Sequence, residues 1–204
     1  MTTLARPRWR WQVPTALLTL TAVPVLAGAF RVTQLSTGAE TTDNARFFAD
    51  PVPALLHIIG ASLFCVLGAF QFLRGPRHRM MGRLIVPCGL VAALSGMWMA
   101  VVYPLPSYDG DLIMVLRLVF GSAMATALVL GFVAVRQRDF ATHRAWMIRG
   151  YAIGQGAGSQ AVVVSLWVGF AGQPDVQTRA VLLGAAWVLN LVVAEWIIRR
   201  KVNR

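Results

Sequence analysis

Charge is scarce in this chain, and acidic charge scarcest. Only 13% of the 204 residues are charged, with 8 Asp+Glu against 19 Lys+Arg. A soluble domain carries roughly a quarter charged residues, so this composition argues against one. Cysteine is almost missing. Cys65 and Cys88 stand far apart and exclude a disulfide framework and a zinc ribbon. Histidine is scarce too. Of three, only His57 lies inside an apolar run, so one chain cannot supply a bis-histidine haem. There is no G-x-S-x-G, no H-E-x-x-H, no P-loop, no dinucleotide fingerprint and no pair of carboxylates inside an apolar run. Hydrolase and transferase chemistry therefore has no visible machinery, and the chain reads as non-enzymatic. No strand-like alternation of polarity appears, which argues against an outer-membrane barrel.

What the sequence has is apolar length. Hydrophobic residues make up 57%, and mean hydropathy is +0.62. A helix crosses the hydrocarbon core with roughly 20 apolar residues. Six segments qualify: Val13–Phe30, Pro51–Leu73, Leu84–Tyr103, Leu112–Val135, Trp146–Phe170 and Ala180–Ile198. They predict one all-α integral membrane domain over residues 1–204, six transmembrane helices in a bundle. The first segment follows Arg6, Arg8 and Arg10 and ends in Ala27-Gly28-Ala29, like a secretory signal. Its length favours a retained anchor.

The net charge of +11 is a topology signal rather than a nucleic-acid footprint. Arg6, Arg8 and Arg10, then Arg74, Arg77, Arg79 and Arg83, then Arg136, Arg138, Arg144 and Arg149, and finally Arg199, Arg200, Lys201 and Arg204 fall on one side. The other side holds Arg31, Arg46 and Arg179 beside most of the acids. Both termini are thus expected to be cytoplasmic, in a bacterial cytoplasmic membrane. The stretch Arg31–Asp50 reads as the longest outer loop.

A few polar residues lie within the spans. His57 sits roughly 9 Å below the outer end of the second segment, on a stripe that continues through Gly60, Phe64, Gly68 and Gln71. Arg117 lies at similar depth in the fourth, where a buried arginine costs roughly 2.5–3.5 kcal/mol on insertion scales. Snorkelling towards Asp109 and Asp111 is its alternative. Antiparallel pairing of the second and third segments brings His57 level with Met97, and Cys65 with Cys88. His57, Met97, Arg117 and Gln71 are therefore candidate ligand-binding residues. His57 with Met97 could ligate haem iron or copper. Gly150, Gly154 and Gly158 suit close helix packing and a homo-oligomer. Glu195 is expected to pair with Arg199 one turn later.

The two inner loops resemble each other, each with a His-Arg pair before an inward-starting helix. Arg77, His78, Arg79, Arg83, His143, Arg144 and Arg149 form a candidate site for anionic lipid headgroups. His57-Ile-Ile-Gly60, Gly68-Ala-Phe-Gln71-Phe72, Arg77-His78-Arg79-x-x-Gly82-Arg83 and His143-Arg144-Ala-Trp146-Met147-Ile-Arg149 resemble a bacterial predicted-membrane-protein family, domain of unknown function 2306. The likeness runs from about Leu56 to Trp167, within a core of about 51–170. It implies a polytopic bacterial membrane protein and brings no reaction or catalytic residue.

Three functions fit these residues. The first is a ligand-binding or membrane-complex accessory protein, with an intramembrane His/Arg site near the outer face. The second is a haem or copper redox protein. The third is a small transporter or channel, weakened because no matched pair of broken helices is visible.

Overall fold

The computed structural model describes residues 11–42, 44–73 and 78–202. These are helical, with no strand among them. The order is α1 (Gln12–Thr37), α2 (Ala45–Ala49), α3 (Pro51–Phe70) continued by a 3₁₀ turn (Gln71–Leu73), α4 (His78–Val102), α5 (Asp111–Arg136), α6 (Phe140–Gly154), α7 (Gly156–Ala171) and α8 (Val176–Val202). Five of them, α1, α3 with its turn, α4, α5 and α8, are long and apolar enough to cross a membrane.

Local chemistry sets the boundaries. Pro51 opens α3 at a position where its missing N–H costs nothing. Gly110 precedes α5, and Asp111 in its first turn and Arg136 in its last complement the helix dipole. The Asp139 carboxylate accepts from Thr142 N at 3.0 Å and starts α6. Asp175 accepts from the amides of Gln177 and Thr178 and starts α8. Gly172, at φ 77° and ψ −165°, adopts a positive-φ conformation open essentially to glycine alone and ends α7.

The sequence boundaries need two corrections. The first helix runs past Phe30 to Thr37, so the expected loop Arg31–Asp50 is shorter and contains α2. The hydroxyls of Thr33, Ser36 and Thr37 donate to carbonyls four residues back, which lets polar residues remain helical. The second correction concerns Trp146–Phe170, which is two helices meeting at Gln155. Glycines surround that point. A Cβ at Gly154 would lie 2.5 Å from the Phe64 ring, one at Gly156 2.1 Å from Trp187 Nε1, and one at Gly158 2.3 Å from the Leu20 carbonyl. Three helices therefore press against the break, and glycine is what admits them. The glycine stripe expected to allow close helix packing does so within the chain.

Polar groups compensate the interruption, as hydrocarbon demands. Gln155 Nε2 donates to the Tyr151 hydroxyl at 2.7 Å and to Thr21 Oγ1 at 3.1 Å. The Tyr151 hydroxyl donates to the Cys65 carbonyl at 2.7 Å. Asn190 Nδ2 donates to the Ala152 carbonyl and Cys65 Sγ to the Gly154 carbonyl. Cys65 thus faces α6, while the Cys88 carbonyl lies level with Gly60.

The bundle forms from neighbouring hairpins. α3 packs on α4, α4 on α5 and α5 on α6. α1 lies against α3 and α7, and α8 against α5, α6 and α7. Phe64, Ile85, Phe120, Met124, Leu128, Tyr151 and Ile153 are buried at the centre. Gly89 admits both Phe64 and Leu128 there: a Cβ would lie 2.7 Å from each.

Candidate functional site

A cavity of about 420 Å³ opens within this bundle. Its lining starts where α2, the α4–α5 loop and the first turns of α8 meet, and ends at the α6–α7 break. Along α4 the lining runs from Tyr103 to Ala92, roughly 16 Å at 1.5 Å per residue.

The loop end is charged. Asp109, with 2% of its side chain exposed, takes one arginine on each oxygen. Arg117 Nη2 lies 2.6 Å from Oδ2 and Arg179 Nε 3.0 Å from Oδ1. The two guanidiniums keep 34% and 28% of their side-chain surface exposed. Arg179 also lies over the Tyr108 ring at 5.1 Å. Arg46 covers Phe47 at 4.7 Å and donates to the Pro104 carbonyl. The Tyr103 hydroxyl donates to the Asp50 carbonyl and ties the α4 end to the α3 start.

Below this rim lies His57. Its Nδ1 is 2.8 Å from the Ala92 carbonyl. A carbonyl can only accept, so Nδ1 carries a proton, and in the neutral imidazole Nε2 keeps its lone pair. Gly96 makes room for the ring: a Cβ there would lie 3.0 Å from His57 Cε1. Met97 lies over Gly121, and its sulfur accepts from the Ser122 hydroxyl at 3.3 Å. The floor is apolar. Phe64, Met124 and Ile153 contribute, and Phe120 stacks on Trp187 with centroids 4.7 Å apart.

His57, Met97 and Arg117 therefore share one cavity. Arg117 both lines it and reaches Asp109, combining the two alternatives read from sequence. Gln71 does not join them. It sits in the 3₁₀ turn at the opposite end, where its Nε2 donates to the His78 carbonyl and its Oε1 is buried without a hydrogen-bond partner among the described residues. The helical stripe from His57 carries it away because α3 spans the bundle between them.

At that opposite end, Arg77 lies outside the described residues. His78, Arg79 and Arg83 are exposed in the first turns of α4. His143 Nδ1 is 2.8 Å from the Gly131 carbonyl, and Arg144 is half-buried beside it in sequence. Arg149 is engaged otherwise. Its Nε and Nη2 reach the two Glu195 oxygens at 2.5 and 3.2 Å, and it covers Trp146 at 4.8 Å. The expected Arg199 contact with Glu195 is looser, at 3.8 Å, because Arg199 points largely to the exterior. Arg149 displaces it as the main partner.

Asp109 and Arg179 also belong to the site. Asp109 was expected only as a snorkelling partner of Arg117, and the one sequence signal for Arg179 was its shared side of the membrane. The described residues hold no group of three or more His, Cys, Asp or Glu arranged for a metal. His57 and Met97 offer one nitrogen and one sulfur.

Comparison with known proteins places residues 54–198 under a family model described as Predicted membrane protein (DUF2306). No curated protein and no solved structure matches the chain.

Proposed function

The chain belongs to the DUF2306 family of predicted membrane proteins, and on that premise we propose that it is a non-enzymatic membrane protein that binds a small lipophilic ligand in the cavity below Asp109. The carrying observation is the gradient inside one cavity: three arginines and an aspartate at the rim, His57 between, and a phenylalanine, methionine and tryptophan floor. Ligand sites are commonly apolar pockets with a few convergent polar groups. Such a ligand suits an accessory role in a membrane complex, with the cavity as the place where the ligand is held.

The topology we propose has six crossings, α6 and α7 together making the fifth. Both termini are cytoplasmic and the host is a bacterial cytoplasmic membrane. The arginine-rich loops between α3 and α4 and between α5 and α6 support this orientation, as does the acidic loop at the cavity mouth. The cavity then opens at the outer end. His78, Arg79, Arg83, His143 and Arg144 face anionic lipid headgroups at the inner end.

One observation favours a second reading. With Nδ1 committed to Ala92, His57 has Nε2 left for the cavity, and a backbone carbonyl on the other nitrogen is how metal-binding imidazoles are oriented. Copper or haem iron held by His57 and Met97 is that reading. Untargeted mass spectrometry and metal analysis of purified protein test both. Under the first reading an organic compound accompanies the wild type and is lost in Ala157→Phe, which fills the cavity, while the melting temperature holds. Stoichiometric metal lost in His57→Ala would replace it with the second. A wild type and an Ala157→Phe variant with identical bound compounds would contradict the cavity reading.

A further inference from the structure

We propose that the ligand is a single-tailed amphiphile with a monoanionic head, a carboxylate being the simplest, held by Arg117 and Arg179 in competition with Asp109. The inference rests on the cavity reading above and names the chemical class that the cavity selects.

Size comes first. At about 420 Å³ the cavity lies near the lower end of the roughly 300–1,000 Å³ range of small-molecule sites. That suits one short chain or a compact ring. Polarity gives the orientation. Met124 lies two turns deeper than Arg117 on α5, roughly 10 Å, so a tail reaching the floor leaves its head at the arginines.

Charge gives the sign. Arg46, Arg117 and Arg179 line the cavity against one carboxylate, Asp109. A cationic head would meet net repulsion there. Each of the two central arginines gives Asp109 a single nitrogen. A guanidinium has five N–H donors in a planar fork, so each retains donors for a second anion. Both are also partly exposed. Asp109 thus holds the pair of cations at the mouth in the absence of ligand, and the ligand head shares or takes over that position.

This makes a prediction that a purely structural ion cluster does not. Asp109→Asn keeps an oxygen for hydrogen bonding and removes the competing charge, so it should tighten binding of an anionic amphiphile. A cluster that only braces the loops could be weakened by the same change and would give no gain.

The test uses three diazirine-bearing ten-carbon probes that differ in head: the acid, the alcohol and the amine. Each is photo-crosslinked to the full chain in nanodiscs, and labelled peptides are mapped. The acid should label cavity-lining segments saturably, with half-saturation about tenfold below that of the alcohol, as one charge-assisted hydrogen bond allows. The amine should label most weakly. Asp109→Asn should lower half-saturation for the acid and leave the alcohol unchanged, and Arg179→Gln should raise it for the acid alone. Arg179→Gln leaves the Arg117–Asp109 pair in place, so it remains informative if Asp109→Asn folds poorly. Equal labelling by all three heads, still blocked in Ala157→Phe, would overturn the anionic class and keep the cavity. Labelling indifferent to Ala157→Phe would overturn both.

Discussion

Replacing Tyr151 by Phe removes one oxygen from the centre of the bundle, and the structure sets the cost. That hydroxyl donates to the Cys65 carbonyl and accepts from Gln155 Nε2, both at 2.7 Å. The Cys65 carbonyl lies inside α3 and keeps its helical bond, and Gln155 Nε2 keeps Thr21 at 3.1 Å but has a second N–H left without a partner. The loss is therefore one interhelical bond, to Cys65, one bond four residues along the chain, to Gln155, and an unmet amide N–H. Interhelical bonds average about 0.6 kcal/mol in membranes, so Tyr151→Phe should cost at least roughly 1 kcal/mol. Unfolding in mixed micelles with rising dodecyl sulfate, followed by tryptophan fluorescence, measures it. A double-mutant cycle with Thr21→Ala adds the second test. Both residues bond the same amide, so their effects should couple by at least about 0.5 kcal/mol. A neutral Tyr151→Phe together with strictly additive effects would refute the network as a brace of the α6–α7 break.

Two further perturbations separate neighbouring interactions. Arg149→Ala should cost roughly 1 kcal/mol in the same assay, modest because both partners are partly exposed, whereas Arg199→Ala should stay within about 0.5 kcal/mol; equal losses would contradict the assignment of Glu195 to Arg149. Asp139→Ala should lower the melting temperature at neutral pH by removing the cap of α6. Hydrogen bonds from the Thr142 side chain and amide hold the Asp139 carboxyl below its usual range. Its contribution is therefore complete above the ordinary carboxylate range and is lost as pH falls through the lowered value. The gap between wild type and variant should close on acidification, and a gap that widened would contradict the capping role.

Apolar length made the helices legible, because nothing else in the chain competes with runs such as Leu112–Val135. Their ends were less so. Thr33, Ser36 and Thr37 read as loop by composition, yet each satisfies its hydroxyl within the helix. The break at Gln155 was also hidden. Hydropathy continues across it, and only its packing against Leu20, Phe64 and Trp187 shows why glycines cluster there. For the site, equal depth in adjacent helices sufficed to group His57, Met97 and Arg117. A shared helical stripe carries no information on depth, so Gln71, fourteen residues beyond His57, lies at the other end of α3 and outside the cavity. Asp109 and Arg179 are 70 residues apart, and no local pattern announces that they meet.

The central claim is a ligand cavity that opens at the outer end and closes at the helix break. Cysteine labelling tests it most directly. Cys65 and Cys88 are replaced by serine, and Ala157, which lines the cavity from the first turn of α7 beside the break, becomes the single cysteine as Ala157→Cys. Intact cells are then exposed to a membrane-impermeant thiol reagent with and without decanoate. The account predicts labelling from outside that decanoate slows. Labelling that requires permeabilised cells, or that decanoate leaves unchanged, would contradict it.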